Sequence, residues 1–422
     1  MRAWLALICW ITLPLAAVAG QGRAASARGG EGAGAGGGEV RVVVGAVGSE
    51  ASAGAQGGWR LTDAWGRVHA QGTGAPDWVI ERRNRRVRVA FGGGTRVTAW
   101  SDEPFVLEPA ASGGAVTWNG RRYRGTLAFA AVDTAILVIN RVDLEGYLRG
   151  VLPLELGVRS PNESPALEAQ AIAARSYTVV RLREGRAAAY DLTSGAFDQV
   201  YGGLDVEHPI ADAAVAATEG LVLSYNGAVV RAPYHSTCGG HTVASTEAWS
   251  GVRDEPYLRG VSDARDGGGA WCDISPRFRW ERTFDRRALD DAVARYVRAH
   301  GAGMLAAGGS VREARIEART RSGRVASLVL ETDGGAMRLS GTEMRTTLRT
   351  ARGEILNSTY FSLEPVIGRD GRLMQLTLRG SGNGHGVGMC QTGAIGMARA
   401  KLSMADILGH YYQGARAYRL SP

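Results

Sequence analysis

A glutamate between leucines is the residue of this chain best placed for acid chemistry. In Gly150-Val151-Leu152-Pro153-Leu154-Glu155-Leu156-Gly157 the carboxyl group of Glu155 is expected in an apolar turn. Partial loss of water there raises a carboxyl pKa and keeps a proton available near neutral pH. One such group can break a β-1,4 glycan lytically. It protonates the leaving oxygen and then, as carboxylate, accepts the proton of the sugar's own 6-hydroxyl as that oxygen closes on the anomeric carbon. The scheme needs neither the second carboxylate of ordinary glycosidases nor a cofactor. By spacing alone, a glutamate between leucines is more often an exposed turn residue than a catalytic acid.

The element that would position this acid follows directly. Ser164 and Pro165 suit an N-cap and a first helical position, and the run from Ala166 continues without a breaker to Gly185. Alanines at 166, 169, 171, 173 and 174 favour the helix and allow close backbone approach. Gln170, Ala174 and Tyr177 share one face, which Arg181 extends. Gln170, Arg175, Ser176 and Tyr177 are therefore candidates to line a cleft and bind polar groups of a substrate. Arginine offers a planar charged donor to a carboxylate, and tyrosine a flat amphipathic face to a sugar ring. Arg175 could instead tie the helix to a loop through buried hydrogen bonds.

Asp198, Gln199 and Tyr201 lie in a Gly-bounded loop, a common place for binding groups, with Asp198 also readable as a turn residue. Glycines around His385, from Gly382 to Gly388, would permit close approach to a glycan with His385 as donor, or simply pack that ring. No lysine follows and the strand-loop-helix context is missing, which argues against a nucleotide site. His235, Cys238, His241 and Cys272 could make a Cys2His2 structural zinc site. In an oxidising compartment a Cys238–Cys272 disulfide is the simpler reading, leaving Cys390 as a buried small apolar residue.

Several features point to that compartment. Arg2, the apolar stretch Ala3 to Val18 and the exit Ala17-Val18-Ala19 have the form of a secretory signal over residues 1–19, too short for a comfortable membrane span. Residues 20–38 read as a Gly/Ala linker. From 39 to 121, short runs such as Val40-Arg41-Val42-Val43-Val44 and Arg86-Val87-Arg88-Val89-Ala90 suggest a small β-rich domain. Residues 122–422 mix strands with helices expected at 165–183, 209–219 and 286–300, an α+β order. The chain carries 49 basic and 41 acidic residues, net +8. Export makes an anionic cell wall a better partner for that charge than nucleic acid, although a solvated arginine-rich face is the plain alternative.

Four motifs occur in a characteristic order: Glu168-Ala169-Gln170-Ala171-Ile172-Ala173-Ala174-Arg175-Ser176-Tyr177; Thr193 to Gly203; Tyr234-His235-Ser236-Thr237-Cys238-Gly239-Gly240-His241-Thr242; and Gly384-His385-Gly386-Val387-Gly388-Met389-Cys390-Gln391-Thr392-Gly393-Ala394 with His410-Tyr411-Tyr412. From about residue 122 onward the chain resembles the stage II sporulation protein D family, whose relatives include amidase-enhancer proteins. The resemblance implies a lytic transglycosylase acting on the glycan strands of peptidoglycan, secreted or periplasmic and wall-associated, with Glu155 in the catalytic position and no membrane span after signal removal. The enhancer relatives imply the alternative, a non-catalytic wall-binding protein that stimulates a separate cell-wall amidase. Two departures stand out: Leu156-Gly157 where the family commonly has Met-Pro after the glutamate, and Glu168 where a lysine is common.

Overall fold

A computed structural model describes residues 38–185, 188–301, 309–350 and 352–420. The expected signal, and the linker up to residue 37, lie outside them. The main sheet begins with Glu39–Val47 (β1), in which Val40 and Val42 are fully buried. Its seven strands run in the order Leu192–Thr193, β1, Ile136–Asp143, Thr126–Ala131, Phe105–Pro109, Trp59–Thr62, Val68–Gly72. Only the short Leu192–Thr193 strand runs parallel to its neighbour.

This sheet corrects the expected division at residue 121. Strands from both sides share it, and Trp59, Leu61, Trp78 and Phe105 are buried in the same cluster as Leu127, Phe129, Tyr147 and Ile172. Short hairpins cannot bury a face by themselves, so the N-terminal strands use the later ones as part of their core. The arginine run on this side is interleaved with acids, Arg86 bonding Asp102 at 2.9 Å and Arg88 bonding Glu81 at 2.7 Å, which reduces its field.

The helices confirm an α+β chain. Leu144–Glu155 (α1) leaves the sheet directly, with Gly146 N–H donating to the Asp143 carboxylate at 2.8 Å. The segment expected as an apolar turn is thus the end of a helix, and Glu155 is its last residue. Pro153 lies in the last turn of α1, where its missing N–H gives up one bond to the preceding turn, and Gly157 ends the turn with φ of +79°.

Ser164–Glu184 (α2) starts one residue earlier than expected, with Ser164 inside it; the capping exchange lies one turn upstream, between Ser160 and Glu163. Its five early alanines are wholly enclosed, because α1, Pro209–Ala217 (α3), the strand Leu221–Tyr225 and the helices Gln391–Arg399 and Met404–Tyr411 all pack on it. A helix touched on every side needs small residues all round. Gly150 serves the same end on α1, where a Cβ would collide with the Tyr201 ring.

A second hydrophobic core, containing Phe284, Leu289, Val293, Leu328, Leu339, Leu376 and Leu378, lies later in the chain. It joins the helix Arg286–His300 to two three-stranded antiparallel sheets drawn from residues 279–381. The chain then returns, and Met389–Cys390 pairs in parallel with Tyr234–His235.

Arg175 is the main polar tie in this packing. Its fully enclosed guanidinium donates to both Glu145 oxygens, at 2.8 and 2.6 Å, and to the Leu221 carbonyl at 3.0 Å. It locks α2 to α1 and to the strand after α3. Removing one member of a buried ion pair strands the other, at about 3–5 kcal/mol. Arg175→Ala should lower the unfolding free energy by about that much in urea denaturation. A loss below about 1 kcal/mol would mean that the pair does not hold the helices.

Candidate active site

Glu155 is held at the carbonyl end of α1, half-buried, with both carboxylate oxygens engaged. Val200 N–H donates to Oε1 at 2.7 Å and Gln391 Nε2 donates to Oε2 at 3.3 Å. Loss of water pushes its pKa up, and the two donors offset part of that rise. The negative end of the α1 dipole acts in the raising direction too. The result is a fixed carboxyl group that retains its proton more readily than a solvated one.

Around it stand amides and phenols. Gln391 Nε2 also lies 3.4 Å from Gln170 Oε1, so one amide bridges the acid and α2. Gln199 accepts at Oε1 from the Tyr147 hydroxyl at 2.9 Å. The Tyr177 hydroxyl donates to Asp198 Oδ1 at 3.0 Å, while Asp198 Oδ2 accepts from Thr193 N–H and Oγ1, both at 2.9 Å. Burial pushes the Tyr234 phenol well above its usual pKa, with the charge of Glu155 the next cause. Two enclosed polar atoms in this shell, the Tyr234 hydroxyl and Gln170 Nε2, have no hydrogen-bond partner among the described residues. Buried polar atoms are normally paired, so such exceptions mark places where a ligand can supply the partner.

The structure brings together Glu155, Gln170, Tyr177 and Asp198 of the expected site, and corrects the rest. Arg175 points into the α1–α2–α3 packing. Ser176 is enclosed too: its hydroxyl donates to the Ile172 carbonyl at 2.6 Å and accepts from Leu223 N–H at 2.7 Å. Tyr201 is buried against Tyr147 and Tyr123 and bonds Asn140 at 2.7 Å. His385 lines a different hollow of about 210 Å³ with Trp249, Arg324 and Arg345. Its Nδ1 accepts from Val387 N–H at 3.0 Å, and burial pushes its pKa down to about 4. Gln391 and Tyr234 were missed as site residues. Both lie inside the recognised motifs, and Gln391 is a polar residue opening an otherwise small and apolar helix.

The expected Cys2His2 set does not assemble. His235 Nδ1 donates to the Val387 carbonyl at 3.2 Å and His241 Nδ1 to the Thr242 carbonyl at 2.5 Å. Cys238 and Cys272 are neighbours, with unbonded sulfurs 3.4 Å apart, and Cys390 lies beside them.

The family model described as stage II sporulation protein matches residues 132–225, which include Glu155, α1, α2 and the Asp198 loop. A domain of unknown function matches residues 269–388, covering the second core. An uncharacterized protein of Brachyspira hyodysenteriae is 31% identical over 71% of this chain and 73% of its own length. Stage II sporulation protein D of Bacillus amyloliquefaciens is 30% identical over 65% of this chain and 74% of its own length. The amidase enhancer of Bacillus subtilis is 28% identical over 71% of this chain but only 44% of its own length.

The direction of the Glu155 shift has a measurable consequence. Because the folded-state pKa lies above the unfolded value of about 4.3, the contribution of Glu155 to stability is fully present below that value and is lost as pH rises through the folded pKa. Glu155→Gln cannot ionise. Relative to wild type, it should therefore gain stability as pH rises above about 4. Thermal melts across that range check this, and a difference that stays constant with pH would show that the carboxyl is not desolvated.

Proposed function

Since the chain belongs to the stage II sporulation protein D family, we propose that it is a lytic transglycosylase. It cleaves the β-1,4 bond between N-acetylmuramic acid and N-acetylglucosamine in peptidoglycan, outside the cytoplasmic membrane. The carrying observation is the setting of Glu155: a carboxyl with raised pKa, held by a backbone N–H and an amide, beside two enclosed polar atoms without partners. Protonated Glu155 gives its proton to the glycosidic oxygen as the C1–O bond breaks. The carboxylate that remains is steadied by Val200 N–H and Gln391. It then takes the proton of the muramyl 6-hydroxyl as O6 bonds to C1, closing the 1,6-anhydro ring and restoring the acid. Asp198 is occupied by Thr193 and Tyr177, which favours a single-carboxylate scheme over a paired one.

One observation favours a second reading. The similarity to an amidase enhancer, together with Glu168 in place of the common lysine, is compatible with a wall-binding protein that stimulates a separate amidase. Glu168 here bonds only locally, accepting from the Ser164 hydroxyl at 3.1 Å. No helix among the described residues is long and apolar enough to cross a membrane.

Purified protein incubated with intact peptidoglycan and with glycan stripped of stem peptides should release 1,6-anhydro-muropeptides, detected by mass spectrometry. Glu155→Gln should reduce their formation by at least about 10²-fold, the scale of acid–base catalysis, without loss of fold. Near-normal activity in that variant would remove Glu155 from the mechanism. If wild type releases nothing from either glycan yet accelerates a purified amidase, the enhancer reading stands.

Phe197 supplies a further check. It is 97% exposed on the loop that Asp198 anchors, an unusual place for a large apolar ring and a suitable platform for a sugar face. Phe197→Ala should raise the half-saturating glycan concentration roughly 2- to 10-fold, the scale of an aromatic contact, with turnover and melting temperature unchanged. An unaltered glycan concentration dependence would rule the platform out.

A further inference from the structure

Three cysteines and an aspartate that the reaction leaves unused converge next to the residue that holds Glu155. The sulfurs of Cys238, Cys272 and Cys390 and a carboxylate oxygen of Asp263 all lie within 4.8 Å of one another, and all four residues are fully buried. We propose that this cluster is a structural metal site of Cys3Asp type, suited to zinc, which fixes Gln391 against Glu155. The proposal does not depend on the reaction assigned above, because it concerns a different group of side chains with its own readout.

The number and kind of donors fit a closed tetrahedral site. With Zn–S bonds near 2.3 Å, tetrahedral donors stand about 3.8 Å apart, so the observed cluster needs only small adjustments. Backbone N–H groups are already directed at the sulfurs. Cys238 N–H and Gly393 N–H lie 3.1 and 3.3 Å from the Cys390 sulfur, and Gly240 N–H lies 3.4 Å from that of Cys238. Donors of this kind favour thiolates, the form that binds metal, over neutral thiols.

The carboxylate is oriented as a metal ligand would be. Tyr411 donates to Asp263 Oδ1 at 2.6 Å and Cys272 N–H to Oδ2 at 3.0 Å. Gly393 is required at this crowded point, since a Cβ there would collide with the Tyr411 hydroxyl and crowd Asp263. Asp263 is wholly buried, so a cation beside its carboxylate would offset a large desolvation penalty. Two positive features lie close by: Arg324, which donates to the Cys238 carbonyl at 2.8 Å, and the start of the nine-residue helix that Cys390 caps. A Cys238–Cys272 disulfide would leave Cys390 and Asp263 without a role.

The ligands also explain why such a site would be useful. They come from four separated stretches and would join the Tyr234 segment to the helix whose first residue is Gln391. Metal bound there would hold the acid's amide partner and the Tyr234 phenol in fixed relation.

The test uses the full chain, stripped with a chelator and reloaded with Zn²⁺ or Co²⁺. One equivalent of metal per chain by elemental analysis, and a cobalt form with sulfur-to-metal charge-transfer absorption and tetrahedral d–d bands, are expected. Cys272→Ser and Cys390→Ser should each lose the stoichiometric metal, whereas His235→Ala and His241→Ala should keep it. Because a cysteine variant could fail to fold, Asp263→Asn gives a milder arm: it should keep the cobalt–thiolate absorption while binding metal at least about tenfold more weakly. The proposal is overturned if the folded wild-type protein takes up neither ion with its three thiols free, if it is isolated with a Cys238–Cys272 disulfide, or if the histidine variants abolish binding.

Discussion

How closely other backbone can approach α2 decides everything around Glu155. Alanine on most sides of that helix allows α1 to lie against it on one side and the Gln391–Arg399 helix on another. Only with both in place can a single amide touch the acid on α1 and Gln170 on α2. Leucines at the alanine positions would overpack these contacts and force the elements apart. The small residues therefore act on the chemistry through distance rather than through any functional group of their own.

Polar groups on α2 divide into two sets with opposite roles. Arg175, Ser176 and Thr178 face packing partners and satisfy buried backbone or side-chain groups, which fixes the helix in position. Gln170 and Tyr177 face the acid and the Asp198 loop. Electrostatics follow the same split: Arg175 has a carboxylate partner for its buried charge, whereas Glu155 has only neutral donors and so holds its proton more tightly. The pairing of one buried charge and the neutral setting of another come from the same few turns of helix.

Much of this was legible in the sequence, and the failures have physical causes. The α2 helix, the helices near 209 and 286 and the strands around residues 40, 86 and 127 follow from local signals that need no partner. The segment that holds Pro153 reads as a turn, yet α1 runs through the proline to Glu155. Arg175 and Ser176 looked like cleft residues because periodicity gives a face but not what covers it, and α2 is covered on every face. The histidines at 235 and 241 have metal-ligand spacing to Cys238, yet their ring nitrogens bond nearby carbonyls. Cys390 and Asp263 join the cysteine cluster only through chain return, which spacing does not record. The second core escapes a sequence reading because several of its strands hold few buried apolar positions among exposed ones.

The parallel pairing of Tyr234–His235 with Met389–Cys390 brings together residues separated by more than 150 positions, and Gln391 meets Glu155 across 236. During synthesis, therefore, the acid emerges long before its amide partner. A nascent or truncated chain that stops short of residue 391 lacks the Gln391 amide, which leaves Glu155 with at most the Val200 N–H and an open flank. Completion of the site waits for residue 391, so the fold itself sets a time order in which the carboxyl group gains its amide partner late.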